Sequence, residues 1–100
     1  SDVYKRQDEV RTAILNSSLA RHVTGMELSD RYDLWFLLDG KIKIRLGNTD
    51  RLADKLSLAA TVLAKQTEPS GPALLDASDP AAVTYREAPD ITLPDWAGSR

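Results

Sequence analysis

An α+β fold is expected from three features of the sequence. A helix-period pattern lies near the start, an apolar hairpin is centred on Asp39-Gly40, and a second helical pattern precedes two short strands. Mostly antiparallel strands with both helices on one face make a two-layer sandwich around a single core. The expected order is α-β-β-β-α-β-β, and 100 residues suit one such domain.

Residues 8–20 open the pattern. Val10, Ala13, Ile14 and Ser17 fall at i, i+3, i+4 and i+7, with Leu15 and Leu19 beside them, so a helix is expected. Asp8 and Glu9 suit its first turn, where carboxylates meet the positive end of the dipole. Residues 22–30 alternate loosely, with Thr24, Met26 and Leu28 on one side of an expected strand.

Residues 32–46 form the hairpin. A loop of Leu38, Asp39 and Gly40, with Gly40 left-handed in a bulge, pairs Phe36 with Ile42, Leu34 with Ile44 and Tyr32 with Leu46. The other face then pairs Leu37 with Lys41, Trp35 with Lys43 and Asp33 with Arg45. A two-residue turn would set Phe36 against Lys43 and Leu34 against Arg45. A one-residue slip exchanges the two faces, so the register with one wholly apolar face is preferred.

Gly47-Asn48-Thr49 ends the strand, and Asn48 or Thr49 is the expected N-cap of a helix over residues 50–66. Leu52, Leu56, Ala59 and Leu63 form its stripe, widened by Ala60 and Val62. Residues 68–72 are an expected loop. Residues 73–77 and 82–87 are expected strands on either side of Ser78-Asp79-Pro80. Residues 88–100 contain Pro89 and Pro94 and form a tail whose only marked packing residue is Trp96.

Residues 1–7 stand apart. Ser1-Asp2-Val3-Tyr4-Lys5-Arg6-Gln7 reads as the in-frame translation of a transposon-end adapter used in DNA library preparation. The expected division is an adapter scar over 1–7, the domain over 8–87 and the tail over 88–100. On that reading the natural chain starts upstream, and a missing leader or anchor carries no information.

Composition excludes several functions. With 13 Lys+Arg against 15 Asp+Glu there is no basic footprint, so sequence-independent nucleic-acid binding has no support. The absence of Cys removes disulfides, thiolate zinc sites and Cys nucleophiles. His22, the one His, lies beside Arg21 with no patterned Ser nucleophile. A triad of Ser17, His22 and Asp30 would need all three to meet in space. The acidic residues lack calcium-loop spacing and suit turns and caps. Asp76, inside an apolar strand, is the exception, expected either to pair with a basic neighbour or to mark a partner contact. Gly47-Asn48-Thr49 reads as a cap and not an anion site, because Asp50 stands where a phosphate would go. No catalytic residue, metal site or cofactor is expected. Trp35 is expected on the outer face beside Lys43, either as a locally stacked pair or as a second contact surface.

Residues 23–85 resemble the C-terminal β-domain of the bacterial cell-division family FtsQ/DivIB. The resemblance is carried by Met26-Glu27-Leu28-Ser29-Asp30, by Asp39-Gly40-Lys41-Ile42-Lys43-Ile44-Arg45-Leu46-Gly47, by Asp50-Arg51-Leu52-Ala53-Asp54-Lys55-Leu56 and by Leu74-Leu75-Asp76-Ala77-Ser78. It departs from the family at Ala77-Ser78-Asp79-Pro80, where many relatives carry Arg-Tyr-Pro or Val/Leu-Ser. It also lacks the membrane helix and POTRA domain of full-length members. The resemblance implies a non-enzymatic divisome scaffold, anchored by a single missing N-terminal helix. This domain would lie on the extracytoplasmic side at the division septum. It implies partners of the FtsB/DivIC and FtsL type, recruited by β-strand addition to the last strand. Val83, Thr84, Tyr85 and Arg86 would then be the partner-binding residues, with Tyr85 the aromatic anchor and Arg86 a charged contact. The alternative is a small extracytoplasmic ligand-binding or hydrolytic domain of the same topology. A polar-lined pocket near His22 would favour it, and a flat exposed edge at 82–87 would favour the scaffold. A POTRA-like module is a weaker alternative, disfavoured by the long hairpin arms.

Overall fold

The computed structural model describes residues 2–66 and 72–88. Ser1, the expected loop around Glu68 to Gly71 and the tail from Pro89, with Pro94 and Trp96, lie outside these residues. The elements are α1 (Asp2–Leu15), a 3-10 turn (Ala20–His22), β1 (Val23–Glu27), β2 (Leu34–Leu38), β3 (Ile42–Gly47), α2 (Leu52–Ala64), β4 (Ala73–Asp76) and β5 (Thr84–Glu87). The expected α+β order holds. The strands form one five-stranded sheet in chain order, β1-β2-β3-β4-β5. Every pairing is antiparallel except β3 with β4, which α2 joins as a parallel crossover.

Both helices cover one face. Val10 and Ile14 of α1 and Leu56 and Ala59 of α2 share a core with Leu34, Phe36, Leu38, Ile42, Ile44, Leu46 and Leu75. Each fully buried Leu, Ile or Phe stabilises by about 1.5–3 kcal/mol relative to exposure. Trp35 and Leu37 form a separate cluster on the opposite face.

Helix α1 ends five residues earlier than its apolar period suggests. The Ser17 hydroxyl donates to the Ile14 carbonyl (2.5 Å) and accepts from the Leu19 N–H (3.3 Å). A side chain that competes for backbone groups in this way turns the chain out of the helix. Leu19 still reaches the core, while Leu15 is left half-exposed.

Strand β1 is shorter than residues 22–30, and its alternation breaks. The register shifts between Val23 and Gly25. Val23 and Met26 therefore both pack on the core, with Leu28 buried beyond the strand end. Thr24 leaves the Met26 side expected for it. Its hydroxyl accepts the Gly40 N–H (2.9 Å) and donates to the Leu37 carbonyl (3.4 Å).

The hairpin keeps its expected faces but not its expected pairs. Leu38 opposes Ile42, Leu37 opposes Lys43, Phe36 opposes Ile44 and Trp35 opposes Arg45. The loop is Asp39-Gly40-Lys41, one residue later than expected. Asp39 (φ 54°) and Gly40 (φ 69°) are both left-handed, and the Lys41 N–H donates to the Leu38 carbonyl (3.1 Å). That is the geometry of a type I′ turn, which favours Asp-Gly. Tyr32 does not meet Leu46. It lies outside β2, 68% exposed, with the Arg31 guanidinium over its ring. Gly40→Val should therefore destabilise the hairpin by about 1–2 kcal/mol, since a β-branched residue resists positive φ. A thermal melt checks this, and an unchanged midpoint would count against the turn.

Helix α2 starts at Leu52, and its N-cap is Arg51, left-handed at φ 54°, not Asn48 or Thr49. Asn48 is engaged elsewhere. Its side-chain oxygen accepts the Asp50 N–H (3.1 Å) and Lys55 Nζ (2.8 Å). Lys55 also donates to the Asn48 carbonyl (3.1 Å) and is almost wholly buried. Burial pulls its pKa down, Asp50 opposes this and Arg51 adds to it.

Candidate partner-binding edge

Strand β5 ends the sheet among the described residues. It is two residues shorter than 82–87, because the chain is still turning there. The Asp79 side chain accepts the Ala81 N–H (2.9 Å), and its carbonyl accepts the Ala82 N–H (2.9 Å). Val83 thus lies just before the strand and packs against the core.

The hydrogen-bond alternation of β5 follows from its neighbours. The N–H groups of Ala73 and Ala77 point at β3, where they meet the Lys41 (3.1 Å) and Arg45 (2.8 Å) carbonyls. Backbone groups of successive strand residues point to opposite sides. Pro72, Leu74 and Asp76 therefore point at β5, and the Pro72 carbonyl accepts the Ala88 N–H (2.8 Å). Their partners Thr84 and Arg86 point back at β4. Tyr85 and Glu87 are left with their N–H and C=O groups on the outer edge.

Side chains divide the other way. Tyr85 opposes Leu75 and packs on the helix-side core. Burial, and then the Glu87 carboxylate, push its phenol pKa up. Thr84 and Arg86 are exposed and share the outer face with Asp76 and Leu74. Of the four residues expected to bind a partner, Val83 and Tyr85 face inward and Thr84 and Arg86 outward. Glu87, inside the expected 82–87 edge but not among the four expected binding residues, supplies outward main-chain groups, and only the strand pairing makes that visible.

The outer face carries a charged network. Arg45 Nε donates to Asp33 (3.0 Å), and another of its nitrogens reaches Asp76 (3.3 Å) and Ser78 Oγ (3.3 Å). Asp76 Oδ1 accepts the Ser78 N–H (3.0 Å) and hydroxyl (2.6 Å). The basic partner expected for Asp76 is thus Arg45. Burial pushes the Asp76 carboxyl up, but Ser78 and Arg45 together outweigh it and hold the pKa below the ordinary aspartate value. A carboxylate lowered in this way adds stability above its unfolded pKa and loses it as pH falls through the folded value. Acid melts of the chain and of Asp76→Asn should therefore converge as the pH falls through the lowered Asp76 pKa. Curves that stay parallel would remove Asp76 from the acid response. Beside this network the Lys43 ammonium stands 4.5 Å over the Trp35 ring. The stacked pair is present although Lys43 lies diagonal to Trp35 and not opposite it.

Among the described residues, Ser17, His22 and Asp30 do not come together. The Ser17 hydroxyl is spent on its own helix end. His22 Nδ1 lies 3.3 Å from Asp39 Oδ1 at the exposed turn end of the hairpin. Asp30 accepts the Tyr32 N–H (2.9 Å) beyond the far end of β1. A shallow pocket of about 170 Å³ is lined by Arg31, Tyr32, Asn48, Thr49 and Asp50, at the end of the hairpin away from His22. Among the described residues no cluster of three His, Asp or Glu side chains could hold a metal. No helix among them is long and apolar enough to cross a membrane.

These features define a two-layer α+β domain that presents an antiparallel edge strand. No curated protein and no solved structure matches the chain. The family model for the C-terminal region of the cell division protein FtsQ/DivIB matches residues 6–83. The chain belongs to that family, and its role is in cell division.

Proposed function

We propose that this domain is a divisome scaffold and not a catalyst. It recruits partners of the FtsB/DivIC and FtsL type by adding their strand beside β5. The observation that carries this reading is the outward row of main-chain groups at Tyr85 and Glu87. An edge strand with unpaired N–H and C=O groups templates another strand, and neighbouring side chains supply selectivity. Arg86 is the charged contact and Tyr85 the aromatic one, with Val83 and Thr84 leading into the strand. Trp35 and Lys43 form a second surface on the outer face. In the full-length protein a single membrane-spanning helix precedes the domain and holds it outside the cytoplasm at the septum. Residues 1–7 are adapter sequence, 8–87 the domain and 88–100 its tail.

The test is amide hydrogen exchange with and without a peptide from the extracytoplasmic C-terminal segment of an FtsB/DivIC-type protein. New protection at Tyr85 and Glu87, with little change at Thr84 and Arg86, is expected. Uniform protection, or none, would remove strand addition at this edge. Arg86→Glu should weaken peptide binding at an unchanged melting temperature. Tyr85→Ala should weaken both binding and folding, because the ring also packs on the core. Equal affinity for wild type and Arg86→Glu would discard Arg86 as a contact.

A further inference from the structure

We propose that Arg45 is the positioning residue of the β5 edge. From the middle strand of the sheet it pins the β4–β5 turn, and with it the register in which β5 is presented. Its effect on a partner rests on strand addition beside β5; the pinning itself does not.

The register of β5 needs a cause. Strands β4 and β5 are joined by residues 77–83. Turn type and loop length fix the register of a tight hairpin, and this connection is much longer than a two-residue turn. Val83 and Tyr85 both pack on the helix-side core, so a slip of one residue would carry them to the wrong face. A slip of two keeps the faces, because side chains alternate with period two. Main-chain bonds in the turn are what oppose that slip. Asp76 Oδ1 accepts the Ser78 N–H (3.0 Å) and hydroxyl (2.6 Å). The Asp79 side chain accepts the Ala81 N–H (2.9 Å), and its carbonyl accepts the Ala82 N–H (2.9 Å). Only Val83 then separates the tied turn from Thr84, which pairs with Asp76. A two-residue slip would take Thr84 from Asp76 and the Ala88 N–H from the Pro72 carbonyl.

Arg45 fastens this turn to the sheet. Its strand, β3, is paired on both sides. Its carbonyl accepts the Ala77 N–H (2.8 Å), where the chain leaves β4. Its Nη1 donates to Asp76 Oδ2 (3.3 Å) and to Ser78 Oγ (3.3 Å), the two side chains that close the turn on each other. Its Nε donates to Asp33 Oδ1 (3.0 Å), just before β2, which aims the rest of the planar guanidinium at the turn. One side chain thus links the chain before β2, the end of β4 and the start of the turn.

Amide hydrogen exchange on the full chain reads the register with no partner present. In the parent, Thr84, Arg86 and Ala88 should exchange slowly, and Tyr85 and Glu87 fast. Arg45→Met should speed exchange at Thr84, Arg86 and Ala88 by about tenfold or more, the scale of losing charge-assisted bonds. Amides of β1 and β2 should keep the parent's rates, since local opening need not spread. If Arg45→Met fails to fold, Ser78→Ala, which leaves β3 intact, decides with a smaller rise at the same three amides. Parent rates at those amides in the folded variant overturn the pin. So does a rise that runs equally through β1 and β2, which would make Arg45 a general support of the sheet. With the FtsB/DivIC-type peptide added, Arg45→Met should bind about tenfold more weakly. Faster exchange at the three amides beside unchanged peptide affinity would support the pin and count against strand addition at this edge.

Discussion

Glu87→Pro should abolish capture of an added strand while leaving the domain folded. The Glu87 side chain is exposed, and its main-chain N–H points away from β4, because Ala88 on one side and Arg86 on the other point toward it. Proline there removes a donor that the native sheet does not use. It also sets its ring where an incoming strand must lie, which is how natural sheets close an edge. The preceding residue, Arg86, already has the extended backbone that a following proline requires. Arg86→Pro is the opposing control. It deletes an inward N–H of the β4–β5 ladder and should cost about 1–3 kcal/mol of stability. Calorimetric titration with the partner peptide, beside thermal melts, separates the two. If Glu87→Pro binds as tightly as the parent, partners do not use this edge. If it melts as early as Arg86→Pro, the alternation assigned to β5 is wrong.

Gly47→Val should be the most damaging substitution for folding, with an expected loss of about 3 kcal/mol or more. Gly47 closes β3 at φ 71°, where a β-branched residue is an outlier. It is buried, and a Cβ built on it would stand 2.9 Å from Ser78 Cβ. Ser78 is not a free side-chain end that can swing aside, since its N–H and hydroxyl both hold Asp76. Either the turn after β4 moves and loosens the Asp76–Arg45 contact, or the backbone at residue 47 leaves its left-handed conformation. A domain of this kind has only about 5–15 kcal/mol in total. Urea melts would measure the loss, and a midpoint close to the parent's would mean that the turn yields freely.

The faces of the hairpin were legible because strand alternation has period two, and Phe36, Ile42 and Ile44 fall on one parity. The pairing was not, because registers two residues apart keep the same faces and differ only in which apolar residues meet. Asp39 adopting a left-handed conformation along with Gly40 moved the loop by one residue, and Asp-Gly allows this without declaring it. The Asp33–Arg45 pair survived because a long guanidinium reaches across a changed register.

Helix ends were least legible. The period of α1 extends through Ser17, yet that hydroxyl is what ends the helix. At α2, Asn48 has the chemistry of a cap, but the buried Lys55 takes it into a different set of bonds. A lysine on an apolar stripe beside Leu56 was the one available sign, and composition rules assign lysine to solvent. For the candidate site, the location of the last strand was readable from Tyr85 and Arg86. The orientation of its backbone was not, because it depends on the bonds that Pro72, Ala73 and Ala77 make two strands deep.

The sheet is ordered spatially as it is ordered in the chain, and this has a kinetic consequence. Each strand joins one that has already been made, so most contacts close short loops at small entropic cost. Only the passage from β3 through α2 to β4 asks for a longer closure. The β1–β3 meander can assemble while the remainder of the chain is still emerging, and β5 is the last to dock. A partner strand laid beside it would be the sixth in the same series, so assembly with a second protein would repeat the step by which the domain completes its own sheet.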